Sequence, residues 1–407
     1  MSKFTHNDLV ILLVAIGVIL IFSRIIAELG KKIKFPIVMG EIMVGILFGP
    51  TVLGVISPSF FETVFPREGY VSIAFDGLVN LSVVLLLFVA GLEVQLSMVL
   101  KYGKIAISTS FFSMLIPFAI GFFVAYYFPH LFERENDENK FFFPIFLGTA
   151  LAISALPVIA RILMDMNLLK SGIGMVIIAS AMVNDFFGWL IFSFLLAVAG
   201  NHETISVGYT IMYIVGFGLF MLTIGRKIID YSLPWIQTKL SWPGGVLSIS
   251  IGVCLLCAAF TQSINIHAIL GAFIAGIVFG DSIHMHEKAR EILHQFVMNF
   301  FAPLFFVSIG LRVNFIENFD WMIVSVVLVL AYCGKVFGSA LGAYIGGLHL
   351  KKSFAIGFGL NARGSMEIIL GTLALNAGLI SPKIFVALVV MAIVTSMTSA
   401  PLMRKLL

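Results

Sequence analysis

Runs of roughly twenty apolar residues recur from one end of this chain to the other, and they limit what it can fold into more than any other feature. A helix rises about 1.5 Å per residue and the hydrocarbon core of a bilayer is about 30 Å thick, so each crossing takes about 20 mainly apolar residues. Thirteen spans fit that ruler: 8–29, 36–55, 72–93, 104–128, 142–164, 171–199, 205–226, 243–262, 266–281, 293–311, 321–347, 352–377 and 383–404. Of the 407 residues 60% are apolar and 11% charged, with a mean hydropathy of +1.08, whereas a soluble domain carries about 25% charge. This excludes a soluble globular protein, a disordered chain, a disulfide scaffold and a nucleic-acid binder. It predicts one all-α polytopic membrane domain over residues 1–407, with the lipid bilayer as its first partner. Cys254, Cys257 and Cys333 lie inside apolar runs and read as small packing residues; the 18 Met and 40 Phe read as packing and lipid-facing bulk. Leu9 to Leu29 has its basic cluster after it and no small-residue cleavage site, so it reads as a retained helix rather than a signal peptide.

Short cytoplasmic loops collect Lys and Arg. After odd-numbered spans come Arg24, Lys31, Lys32 and Lys34; Lys101 and Lys104; Arg161 and Lys170; Arg226, Lys227 and Lys239; Lys288 and Arg290; Lys351 and Lys352; Arg404 and Lys405, together 17 of the 25 basic residues. The N-terminus is therefore expected outside and the C-terminus inside, with the acidic run Glu133 to Glu138 in an external loop. The inner segments Arg226 to Lys239 and His284 to His294 read as short interfacial helices.

Two pieces of the chain repeat. Gly40, Gly45 and Gly49 of span 2 recur at the same spacing as Gly271, Gly276 and Gly280 of span 9. Phe88-Val89-Ala90-Gly91-Leu92-Glu93-Val94-Gln95 in span 3 recurs, with one extra residue, as Phe306-Val307-Ser308-Ile309-Gly310-Leu311-Arg312-Val313-Asn314 in span 10. Spans 1–6 and 8–13 thus read as two copies joined by span 7. Seven spans separate equivalents, so the copies run in opposite directions. Inverted repeats mark secondary transporters, whose binding site lies between the copies near the midplane; the simpler reading is glycine spacing for close helix packing.

Ionisable groups in mid-membrane are functional candidates by default, because each costs several kcal/mol. Asp185 is the strongest, the single charge in the middle of span 6, preceded by Asn184. Lys335, in span 11, is its natural counter-charge, with a structural role as open as a transport role. Spans 5 and 12 occupy equivalent places in the two copies and both carry polar or breaking residues. In span 5, Gly148-Thr149 leads to Ile153-Ser154-Ala155-Leu156-Pro157; proline lacks an amide donor and clashes with the carbonyl four residues back, so unwinding is expected around Ile153 to Leu156. In span 12, Gly357-Phe358-Gly359-Leu360-Asn361-Ala362-Arg363-Gly364 interrupts the apolar run ahead of Glu367. Broken backbone at membrane depth is tolerated only where protein covers it or water reaches it. Half-helix ends offer partial positive charge on free amides and partial negative charge on free carbonyls. Carbonyls and a carboxylate are hard oxygen ligands suited to an alkali cation. Arg363 would offset the carbonyl ends or pair with Glu367. Glu41 in span 2 lines a water-filled funnel or pairs with a neighbour; the sequence does not choose.

These motifs, Ala152-Ile153-Ser154-Ala155-Leu156-Pro157 with its continuation to Leu163, Asn184-Asp185, and Leu360 to Glu367, resemble the second family of monovalent cation:proton antiporters over essentially the whole chain. The pattern is most similar to the branch holding plant cation/proton exchangers, fungal potassium/proton antiporters and bacterial sodium/proton exchangers. The resemblance implies thirteen helices with two crossed broken ones (spans 5 and 12), a homodimer, and an elevator movement of a mobile core. On this chain it implies a dimerisation scaffold at 1–103 and 243–312, an ion-translocating core at 104–199 and 321–407, and a linker helix at 205–226. It makes Asp185 the carboxylate that is alternately protonated and cation-bound, Ser154 the hydroxyl of the first break and Lys335 the core lysine. Electrogenic relatives have two adjacent carboxylates, the first paired with the lysine; Asn184 stands there instead. Many relatives also carry a cytoplasmic regulatory domain, which 1–407 does not contain, so a separate regulatory domain or subunit is an open partner.

The expected function is exchange of Na⁺ or K⁺ for H⁺, electroneutral, with no cofactor and no enzyme chemistry, in a bacterial inner membrane. The ion and proton site comprises Asp185, Asn184, Ser154 and Thr149, with Asp185 and Ser154 as the Na⁺ or K⁺ ligands. Lys335, Arg363, Glu367, Asn361 and Glu41 support it. The rivals are a gated potassium efflux pathway of the glutathione-gated type and an organic-anion symporter, against which a lone carboxylate argues. His284, His286 and His294 with Glu287 and Glu291 read as a solvated amphipathic linker or a proton sensor. The choice between sodium and potassium depends on cavity geometry that the sequence does not give.

Overall fold

In lipid a backbone amide has no water to turn to, so an apolar chain closes its hydrogen bonds within helices. The computed structural model describes residues 4–32, 37–94, 103–134, 140–166, 168, 171–200, 207–264 and 266–407, and among them it is entirely helical, with no strand. Lys34, Gln95, Lys101, Lys170 and 135–138 of the acidic run lie outside the described residues. In chain order the helices are α1 (His6–Lys32), α2 (Ile37–Phe48), α3 (Leu53–Ile56), α4 (Pro58–Val64), α5 (Tyr70–Glu93), α6 (Gly103–Tyr127), α7 (Phe142–Ala152), α8 (Leu156–Asp165), α9 (Gly172–Gly200), α10 (Val207–Phe220), α11 (Arg226–Lys239), α12 (Gly244–Ser263), α13 (Ala268–Gly280), α14 (Glu287–Phe296), α15 (Ala302–Arg312), α16 (Trp321–Tyr332), α17 (Gly338–Ile345), α18 (Leu350–Leu360), α19 (Ser365–Asn376) and α20 (Pro382–Leu406).

Among the described residues nine helices are long and apolar enough to cross a membrane. The other four expected spans, 36–55, 142–164, 266–281 and 352–377, fall on the shorter apolar helices Gly40–Ile56, Phe142–Ala152, Ala268–Gly280 and Met366–Asn376. Spans 5 and 12 are each broken: α7 stops at Ala152 and α8 resumes at Leu156, while α18 stops at Leu360 and α19 resumes at Ser365. Two expectations need correction. Arg226 to Lys239 is no separate interfacial helix, because a π-helical turn at Met221–Gly225 carries α10 straight into α11; Val297–Phe301 likewise joins α14 to α15. A π turn absorbs the extra residue while keeping the backbone bonded, which apolar surroundings favour over an open break.

The chain divides into two compact units. The first comprises 1–92, 221–260 and 271–318. Here α2 packs along α15, and the repeated glycines meet in reciprocal pairs. A Cβ on Gly45 would overlap the Val307 carbonyl and lie 2.9 Å from Gly310 Cα; a Cβ on Gly276 would overlap the Phe88 carbonyl and lie 2.9 Å from Gly91 Cα. Each motif of the sequence repeat therefore touches the partner motif of the other copy, at backbone contact that no side chain permits. Ala15, Ile19, Val44, Phe61, Leu304 and Val307 form an apolar cluster beside the first pair.

The second unit comprises 93–220, 261–270 and 319–407. Its core joins Leu156, Ile159 and Leu163 of α8 to Ile177 and Ala181 of α9 and to Ile356 and Leu360 of α18. On α6, Pro117 sits where a Cβ on Gly334 would be, at 2.8 Å from the Pro117 Cα, which brings α6 against the helix that carries Lys335.

The glycine pairs give a direct test. Gly310→Ala and Gly276→Ala are expected to destabilise by about 1–3 kcal/mol through overpacking. Gly17→Ala, with nothing within 4 Å of the added methyl, is expected to be neutral or slightly stabilising. Thermal unfolding of detergent-purified variants, followed by tryptophan fluorescence, checks the ranking.

Candidate functional site

The second unit holds an assembly of buried charged and polar groups at its two helix breaks. The last carbonyls of a helix have no partner within it, and those of α7 are met by cations from elsewhere in the chain. Arg363 donates through Nη1 to the Ala150 carbonyl at 2.9 Å and through Nη2 to the Leu151 carbonyl at 2.7 Å. Lys335 Nζ donates to the carbonyl of Ala152. Arg363 also pairs with Glu367, in the first turn of α19, so both roles open to it in the sequence are filled at once. The second break returns the favour: Ser154 Oγ donates to the Leu360 carbonyl at 3.0 Å and the Ala155 amide to the Ala362 carbonyl at 3.2 Å. Ser396 of α20 donates to the Arg363 carbonyl and accepts from the Arg363 amide at 3.3 Å. Each break is thus bonded through the other.

Asp185 lies on α9 opposite the first break. Gly188, three residues on and on the same face, leaves the space into which Ile153 packs. The amides of Ser154 and Leu156 and the ammonium of Lys335 lie within electrostatic reach of the Asp185 carboxylate, as does the charge of Glu93. Asp185 is 3% exposed, and its Oδ1 makes no hydrogen bond among the described residues.

Lys335 sits on a π turn, Cys333–Phe337, and is fully buried. Beside Ala152 its partner is Asn184. One orientation of the Asn184 amide satisfies every group: its oxygen accepts from Lys335 Nζ at 3.0 Å and from Ser113 Oγ at 2.9 Å, and its nitrogen donates to the Ser110 carbonyl at 3.1 Å. The reverse orientation would set an NH₂ against an ammonium and an oxygen against a carbonyl. Lys335 therefore contacts a carbonyl and an amide directly, and no ion pair joins it to Asp185 within 4 Å.

The remaining expected residues divide. Thr149 is buried on α7 with its hydroxyl bonded back to Ile145. Asn361, 1% exposed in the second break, has no partner for either amide atom among the described residues, and Glu367 Oε2 also lacks one there; each orphaned group costs about 1–3 kcal/mol. Glu41 belongs to the first unit, 4% exposed with Oε2 unbonded. Ser110, Ser113, Ser396 and Glu93 were not singled out from sequence as site groups; small hydroxyls in apolar helices carry no signal until their neighbours are known. His284 and His286 stand in the first unit near α11, where Gln237 donates to the His284 carbonyl at 2.8 Å and the Trp242 ring meets His286 edge-on.

Residues 10–405 match the model of the sodium/hydrogen exchanger transmembrane family, and the chain belongs to that family. It is an integral multi-pass membrane protein. It is 30% identical over 403 residues to the Na(+)/H(+) antiporter NhaS4 of Synechocystis, covering 98% of each chain. It is 31% identical to Cation/H(+) antiporter 17 of Arabidopsis thaliana, covering 98% of this chain and 48% of that one, so it spans about half the length of the Arabidopsis relative. In fold it is similar to the sodium proton antiporter MjNhaP1 of Methanocaldococcus jannaschii, with a TM-score of 0.65 at 16% identity over 98% of this chain and 97% of the other.

Removing Arg363 leaves Glu367 and two carbonyls stranded, so Arg363→Ala is expected to cost about 3–5 kcal/mol. Arg363→Lys keeps the charge but not the two-carbonyl fork and is expected to fall between. Lys383→Ala, which removes a solvent-exposed pair with Glu133 at 2.7 Å, is expected to leave stability nearly unchanged. Denaturation in mild detergent orders the three.

Proposed function

We propose that this protein exchanges a monovalent cation, Na⁺ or K⁺, for protons across the membrane, and that Asp185 binds the two in turn. The observation that supports this most is the pairing of near-complete burial with an Asp185 Oδ1 that finds no donor among the described residues. A buried carboxylate oxygen left without a donor has two ways to be satisfied, a proton or a small cation, and one excludes the other. Ser154 Oγ, at the first break, and the Asp185 carboxylate are the oxygen ligands in this reading, with Asn184 and Thr149 lining the site. Crossing is permitted only when the site is loaded, because the bare carboxylate is costly in a low-dielectric interior.

Stoichiometry follows from the charges. Asp185, Glu367, Lys335 and Arg363 sum to zero when all are ionised. A proton and a monovalent cation each raise that sum by one, so both loaded forms carry the same charge and a full cycle moves none. Asn184 matters here: it accepts from Lys335 without adding a charge that a proton might neutralise. The mobile element in this reading is the core 104–199 with 321–407. Scaffold 1–103 with 243–312 is the fixed element in a homodimer, a movement of the elevator kind, with thirteen crossings, an outside N-terminus and the bacterial inner membrane as its place. The reciprocal glycine contacts support an inverted repeat and a rigid scaffold. A gated potassium efflux pathway is not favoured, since the relatives reported above bear antiporter names.

Proteoliposomes test both parts. Asp185→Asn is expected to abolish cation-driven proton movement with the fold retained; persistent exchange would remove Asp185 from its role. With the wild type, clamping the membrane potential with valinomycin is expected to leave the Na⁺-driven rate unchanged, and a rate that follows the imposed potential would contradict one-for-one exchange.

A further inference from the structure

Asn361 is a side chain that finds no partner among the described residues. It stands in the second break with its neighbours held on both sides: the Leu360 carbonyl takes the Ser154 hydroxyl and the Ala362 carbonyl takes the Ala155 amide. Asn361 is therefore pinned beside Ser154. Asp185 faces the break that holds Ser154, since Gly188, three residues on along α9, leaves the space that Ile153 fills. Two groups without a partner among the described residues, the Asp185 Oδ1 and both heteroatoms of the Asn361 amide, thus belong to residues that border the first break, and both residues are almost wholly buried. Ordinary buried amides find protein partners, and buried polar groups that lack them take up water or an ion.

We propose that the Asn361 carboxamide is a direct ligand at the transport site and sets its preference among alkali cations. This rests on the reading of Asp185 given above and extends it. An amide suits a site that two guests share. Towards a metal cation its oxygen is a hard neutral ligand that adds no charge; towards a protonated Asp185 the same group both donates and accepts a hydrogen bond. A carboxylate there would bind the cation more tightly but add a second titrating group. An apolar residue would serve neither loaded form. A neutral carbonyl oxygen contributes to selectivity through the size and field of the cavity, so its loss is expected to change affinities unequally for ions of different radius.

The test uses the full chain in proteoliposomes, with half-saturating concentrations for Li⁺, Na⁺ and K⁺ measured at one pH. Asn361→Ala is expected to raise the half-saturating concentration of the preferred cation at least fivefold and to change the ratios among the three ions at least threefold. Asn361→Gln, which keeps the amide, is expected to recover part of the lost affinity. Unchanged ratios in Asn361→Ala, with Asp185→Asn inactive, would overturn this proposal while leaving the Asp185 reading intact. Exchange surviving in Asp185→Asn would instead remove the reading beneath it. If Asn361→Ala is not recovered folded, Asn361→Ser and Asn361→Thr read the same ratios, and ratios like those of the wild type in both would also overturn it.

Discussion

Three carbonyl groups at the end of α7 have no partners in their own helix, and the second unit is organised around answering them. Arg363 takes two and Lys335 the third. Neither cation is cheap to bury: each gives up water for a site where only good geometry compensates. The compensation is available because a broken helix exposes the atoms that a continuous one conceals. Two breaks side by side then form a closed exchange, carbonyls of one against cations and hydroxyls of the other, which satisfies the condition for irregular backbone in an apolar environment. The Asp185 oxygen and the Asn361 amide remain unsatisfied within this exchange among the described residues, as do Glu367 Oε2 and Arg363 Nε, which belong to the ion pair itself.

Asn184 changes the electrostatics of this arrangement more than any single charge. In its satisfied orientation the amide oxygen faces Lys335, while Ser110 and Ser113 hold the amide nitrogen. A carboxylate at that position would meet the Ser110 carbonyl lone pairs on one side, so the hydroxyl-lined seam on α6 is shaped for an amide. The lysine is then a fixed pin between the end of α7 and the middle of α9. It polarises the site around Asp185 without being its ion-pair partner.

Several of these features were legible in the sequence, for physical reasons that can be named. Pro157 located the first break, because a missing donor and a ring clash act locally; unwinding expected around Ile153 to Leu156 occurs at 153–155. Asp185 stood out because a lone charge in a long apolar run has few explanations. Arg363 and Glu367 are opposite charges four residues apart in an apolar run, which made them candidates for a pair although Arg363 stands in the break and not on a helix, and the repeated glycines announced the close contacts of Gly45 and Gly276. The immediate partners of Lys335 were not legible. They are a backbone carbonyl and an amide from two other helices, and composition or periodicity carries no record of either. The π turns at Met221–Gly225 and Val297–Phe301 were missed for a similar reason. A one-residue excess in a helix leaves an apolar run looking like any other, and charged stretches at the ends of such runs read as surface helices.

The central claim is that one carboxylate holds either a proton or a cation. Counting protons released as cation binds tests it most directly. Purified protein is titrated with the preferred cation by calorimetry in two buffers of different ionisation enthalpy, at least one pH unit below that of half-maximal exchange, where the free carboxyl is almost wholly protonated. Competition at Asp185 predicts that each cation bound displaces close to one proton, and that Asp185→Asn releases none. Cation binding that proceeds with no proton release, or the same release from Asp185→Asn, would contradict it.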